Sequence, residues 1–108
     1  MFLGRKMALL EAVDTRDVAF VQLLCDASAD VNSPTTLGIL RTSLQRTAKL
    51  GSYNIVQYLI SRGANFNAEP SLSSGGTALQ LATIKGYVGI AEFLLQEGAN
   101  INAAPSKF

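Results

Sequence analysis

The sequence predicts an all-α solenoid: three helix-turn-helix units joined by extended β-turn arms. Three observations predict it. A phrase recurs, Gly-Ala-Asn-Phe-Asn-Ala at Gly63 to Ala68 and Gly-Ala-Asn-Ile-Asn-Ala at Gly98 to Ala103, with a blurred copy from Ser28 to Ser33. Its closing asparagines, Asn32, Asn67 and Asn102, stand 35 residues apart, and a fixed period in this range marks a repeat array. Finally, each period carries two short runs with helical apolar spacing, most of them closed by glycine.

In the first unit, Met7 to Arg16 opens the first helix, with Leu9 and Ala12 on one face at an i, i+3 spacing. Val18, Phe20, Val21, Leu23 and Leu24 make the apolar run of its second helix. Arg16 and Ser28 stand where the later units have glycine, so the turns of this unit differ or it is a tolerant terminal copy. The second unit has Leu44 and Thr47 in its first helix, from Thr42 to Gly51. Tyr53, Ile55, Val56, Tyr58, Leu59 and Ile60 follow in its second. The third repeats the scheme with Leu79 and Ala82 between Thr77 and Gly86, then Val88, Ile90, Ala91, Phe93, Leu94 and Leu95. Thr42 and Thr77 suit N-caps, whose hydroxyl accepts an orphan backbone N–H. Gly51, Gly86, Gly63 and Gly98 suit the left-handed residue after a helix, where a Cβ is penalised. The arms run from Ser33 to Arg41 and from Ala68 to Gly76, with Pro34 and Pro70 near their starts.

Bulk composition agrees with a packed domain. The chain has 108 residues, 48% hydrophobic and 16% charged, which is too apolar for disorder. Nine basic against eight acidic residues leave a net charge of +1, without the clustered cations that nucleic acid or an anionic membrane calls for. No apolar run approaches a membrane span, and Glu11 and Asp14 interrupt any signal-like opening. The one cysteine, Cys25, has no internal partner, which fits an intracellular, cytoplasmic setting without excluding the nucleus.

The sequence is read as non-enzymatic, with no cofactor and no metal. There is no histidine, the commonest general base and metal ligand, so Cys25 has no base to activate it as a nucleophile. Ser73-Ser74-Gly75-Gly76-Thr77 has the look of a phosphate loop but lacks the lysine and the preceding strand, and is read as a turn at an arm tip. The acidic residues are scattered one or two per unit, as on a solvated face, and the aromatics fall at second-helix positions where packing is the default reading.

Thr77-Ala78-Leu79-Gln80-Leu81-Ala82 and Thr42-Ser43-Leu44-Gln45-Arg46-Thr47 resemble the helix-opening motif of the ankyrin repeat, Thr-Pro-Leu-His-x-Ala. Leu94 to Ala103 and Leu59 to Ala68 resemble its tail, Leu-Leu-x-x-Gly-Ala-Asp-Val-Asn-Ala. The resemblance makes residues 1–108 a single ankyrin-repeat domain with repeats at about 6–34, 41–69 and 76–104. Its wording is similar to that of ankyrin arrays in large multidomain fungal proteins. The motif proline is missing from all three copies, and the motif histidine is Leu10, Gln45 and Gln80. Glutamine can still donate, so the inter-repeat hydrogen bond made by that histidine is expected at Gln45 and Gln80 and not at Leu10. The period of 35 exceeds the family's usual 33, and the arm carries the surplus.

The resemblance implies a protein–protein interaction module that grips another protein with its concave face, built from arm tips and first helices. A structural spacer, or a fragment of a longer array in a multidomain signalling protein, is the alternative. Contact positions implied on the arms are Lys6, Arg41, Ser73, Ser74 and Gly76, with Glu69 at an arm base. Those implied on the first helices are Asp14, Thr15, Lys49, Leu50, Ile84 and Lys85. The helix phase turns Leu50 and Ile84 toward the groove as exposed aliphatics flanked by Lys49 and Lys85. Family asparagines at the positions of Asn32, Asn67 and Asn102 can be substrates for hydroxylation, against a purely structural role bonding local backbone. The last helix, Val88 to Glu97, ends in apolar residues with no cover, so either further repeats adjoin on the C-terminal side or the chain associates end to end.

Overall fold

A computed structural model describes residues 2–27, 29–32, 41–70 and 76–101, with side chains described from residue 8 onward. Among the described residues there are six helices and no strand: α1 (Phe2–Thr15), α2 (Val18–Asp26), α3 (Ser43–Leu50), α4 (Tyr53–Ser61), α5 (Ala78–Lys85) and α6 (Val88–Glu97). Ser28, most of both arms and Asn102 lie outside the described residues.

Local chemistry sets the ends of the helices. The hydroxyls of Thr42 and Thr77 accept from the backbone N–H of Gln45 and Gln80, and the two glutamine side chains accept from the N–H of Thr42 and Thr77. Each is a full capping box, which satisfies two orphan donors at once. Gly51 and Gly86 then end these helices at φ +83° and +77°. The first unit has Met7 and Leu10 in place of the cap pair. Nothing there stops the helix, and α1 runs back to Phe2 through the stretch that is arm in the other units. Lys6 is therefore a helical residue, not the arm residue expected from the sequence.

Arg16 occupies the turn that glycine makes elsewhere, and it adopts φ +60°. Its N–H donates to Val13 O, while the Thr15 hydroxyl donates to Ala12 O and accepts from Asp17 N–H, so the turn is held despite the penalty. Arg16→Gly should therefore raise stability by about 1 kcal/mol, the left-handed penalty partly offset by glycine's unfolded-state entropy. A thermal melt should rise by about 5 °C, and an unchanged midpoint would mean that the strain is absent.

The units nest in two layers. First helices α1, α3 and α5 pack side by side, as do second helices α2, α4 and α6, with the first helices in closer contact. The equivalent leucines Leu9, Leu44 and Leu79 are buried, with Ala12, Thr47 and Ala82 fully so. Thr47 is accommodated because its hydroxyl donates to Ser43 O, 2.7 Å away. Val21, Val56, Leu59 and Leu94 fill the space between layers. Each such aliphatic side chain contributes roughly 2 kcal/mol of burial, and none could be covered by one hairpin alone.

Asparagines tie unit to unit. Asn32 Nδ2 donates to Gly63 O at 2.8 Å, and Asn32 Oδ1 accepts from Asn65 N–H at 2.7 Å. Asn67 Oδ1 accepts from Asn100 N–H at 2.8 Å. The expected local bond is made by a different residue two positions earlier: Asp30 and Asn65 accept from the N–H of Asn32 and Asn67. The closing asparagine thus reaches the next turn of the stack.

Candidate first-helix interaction face

The exposed ends of α1, α3 and α5 form one side of the stack, and the equivalent positions are 14, 49 and 84, then 15, 50 and 85. Asp14 accepts from Arg46 Nε at 2.6 Å and from Nη2 at 2.8 Å, a bidentate pair joining α1 to α3. The hydrogen bond from Arg46 is the main reason that the Asp14 carboxyl lies below its usual range. Acid weakens the pair only as pH falls through that lowered value. Both side chains are about 40% exposed, so the pair contributes little to stability.

Lys49 sits among cations. Its ammonium is held below the usual lysine range first by Arg41, then by burial, then by Lys85 and Arg46. Lys49, Arg41, Lys85 and Arg46 thus lie near one another at α3 and α5, and Arg46 is paired with Asp14. The bulk net charge of +1 gives no sign of this grouping.

Several contact positions expected from the sequence are placed differently. Leu50 is half-buried and packs against the core, so it is not an exposed groove residue. Ile84 is exposed at 78%, but its neighbours across the adjoining groove are Ala91, Leu95 and Ile101, at the C-terminal end of the stack. Thr15 spends its hydroxyl on the end of α1. Gly76 is buried beside Gln80. Glu69 is exposed, while its carbonyl accepts from Gln45. Lys85 is exposed and Arg41 half-buried. Ser73 and Ser74 lie outside the described residues, as does the Lys6 side chain. The sequence alone does not single out Arg46, because its partner Asp14 is 32 residues away and its counterpart in the third unit is the apolar Leu81.

Gln45 Nε2 donates to Ala68 O at 3.0 Å and to Glu69 O at 2.7 Å. The bond expected between repeats instead runs from the first helix of a unit to the arm that leaves the same unit. For Gln80, the matching carbonyls of Ala103 and Ala104 lie outside the described residues. No group of three or more acidic or cysteine side chains among the described residues is placed to hold a metal, and no helix there is long and apolar enough to cross a membrane. The Cys25 thiol is buried, and burial raises it above its ordinary range.

Nested helical hairpins, capped by Thr–Gln pairs and tied by asparagine, define a helical-repeat scaffold. The family model for ankyrin repeats, in three copies, matches residues 9–104, and the chain belongs to the ankyrin repeat family. Ankyrin repeats are generally protein-interaction modules and generally not enzymes. No curated protein matches the chain.

Proposed function

We propose that the protein binds another protein across the first-helix, concave face, and that the partner presents carboxylates around an apolar side chain. The placement of Lys49 and Lys85 in the last turns of the neighbouring helices α3 and α5, with Lys85 exposed, supports this reading. Like charges held together on a rigid face raise the local potential, and an acidic partner relieves their repulsion as it binds. Ile84, exposed at the end of α5 where this face borders the C-terminal groove, supplies an apolar contact at its edge. The backbone is preorganised by capping boxes and inter-unit bonds, so little entropy is lost on association. A cytoplasmic location goes with this role.

Peptides selected by display against the wild-type chain should be enriched in Asp and Glu flanking an aliphatic residue. Their affinity should fall steeply with salt. Lys49→Glu with Lys85→Glu should weaken the selected peptides by about 100-fold, at roughly tenfold per charge contact, while leaving the melting temperature unchanged. Equal binding by the double variant would discard the proposed face, and failure to select any peptide would favour a spacer.

A further inference from the structure

Because every residue has counterparts 35 positions away, exposure can be compared at a fixed position in the unit. Ile55 and Ile90 are buried at 1% and 3% exposure, but their counterpart Phe20 in the first unit is 41% exposed. Tyr58 and Phe93 pack half-buried against the core, while their counterpart Leu23 is 63% exposed. These positions face the preceding unit. The Phe93 ring lies 5.9 Å from that of Tyr53 one unit back, and Tyr58 lies beside the Cys25 thiol one unit back. In the first unit this face leaves Phe20 and Leu23 exposed.

The opposite face behaves as its mirror in sequence order. Cys25 is buried and Ile60 half-buried, whereas Leu95 is 44% exposed. Val31 and Phe66 are half-buried, whereas Ile101 is 69% exposed. Val88, the counterpart of Tyr53, is 66% exposed. Leu95 and Ile101, with Ile84 and Ala91, line a groove of about 450 Å³ on the third unit. Apart from Tyr53, every large apolar side chain that is exposed among the described residues lies on one of these two faces.

We propose that the two faces bind each other between molecules: the C-terminal face of one copy seats the N-terminal face of a second copy, head to tail, and the 35-residue stack continues across the junction. The surface is a continuation of the interface already formed twice inside the chain. There, Tyr53 meets Phe93 and Cys25 meets Tyr58; at the junction, Val88 and Leu95 meet Leu23 of the second copy. Charges do not oppose this. Where Asp14 meets Arg46 and Asp26 meets Arg62 inside the chain, the junction places Ile84 by Glu11 and Gln96 by Ala27. The contact is heterologous, so it does not close on itself as a two-fold dimer would, and association grows with concentration.

Sedimentation velocity on the 108-residue chain tests this. The wild type should pass through dimer to longer species as concentration rises. Leu23→Glu and Leu95→Glu should each stay monomeric, since each has lost one of the two faces. An equimolar mixture of the two should form a 1:1 dimer and go no further, because one intact face of each kind remains. A wild type that stays monomeric, a mixture that stays monomeric, or Leu23→Glu that still dimerises through a C-terminal to C-terminal contact would each overturn the proposal. Should circular dichroism show that either variant is unfolded, Phe20→Glu and Ile101→Glu replace them on the same two faces.

Discussion

Gly51→Ala is expected to cost about 3 kcal/mol, while the equivalent substitution one unit later, Gly86→Ala, costs only about 1. Both glycines end a first helix in the left-handed conformation, at φ +83° and +77°. An alanine at either position carries the same backbone penalty, roughly 1–2 kcal/mol. Their surroundings differ. A Cβ on Gly51 would lie 2.6 Å from Tyr87 Cζ and within 3.0 Å of two further ring atoms, whereas a Cβ on Gly86 would meet nothing within 4 Å.

Tyr87 leads into α6, and its ring packs against Gly51 at the end of α3, the first helix of the preceding unit. The ring is rigid, half-buried and packed on the core, so it cannot swing away as a long flexible side chain would. Gly51→Ala must therefore push the second and third units apart or displace the tyrosine, at the cost usual for overpacking, about 1–3 kcal/mol. In thermal melts the midpoint should drop by about 15 °C for Gly51→Ala and about 5 °C for Gly86→Ala. Equal losses would mean that the ring contact carries no energy. Tyr87→Ala in the Gly51→Ala background provides the cycle: the extra penalty should vanish when the ring is gone.

How far the sequence discloses this arrangement depends on the range of each interaction. Thr42, Thr77, Gly51 and Gly86 are legible because caps and left-handed turns are settled within one helical turn. The extension of α1 leaves only a negative trace in the sequence, the lack of a capping residue at Met7. The bare faces at either end follow from the period, since a unit's outward residues repeat whether or not a neighbour covers them. The Asp14–Arg46 pair is a different matter. It joins residues that occupy different positions in successive units, and the third unit holds apolar residues, Ile84 and Leu81, at both of them. Leu50 misleads for a related reason. Helix phase turns it outward, but the last residue of a short helix lies where the adjoining unit can reach it, and it ends half-buried against the core. The closing asparagines were legible as turn residues, but not as bonds across the stack, because nothing local distinguishes the two uses.

Gln45→Leu should be as damaging as Gly51→Ala, at about 3 kcal/mol, for a polar rather than a steric reason. The side chain is 2% exposed. Its Oε1 accepts from Thr42 N–H at 3.0 Å, while its Nε2 donates to Ala68 O and Glu69 O. One amide thus caps a helix and pins the start of the next arm. Leucine matches its volume, and the first unit carries Leu10 at the same position, so packing survives. What is lost is the partner of one N–H and two carbonyls, each left part-buried and worth roughly 1 kcal/mol or more. Gln45→His should recover part of the loss, since a neutral imidazole can accept from Thr42 N–H at one nitrogen and donate to one carbonyl from the other. That recovery should fade as pH falls below about 6.5, because protonation of the ring removes the acceptor. Urea unfolding measures all three proteins. A Gln45→Leu midpoint equal to wild type would show that the amide does not hold the arm; a pH-independent Gln45→His would show that the cap bond is not made through the ring.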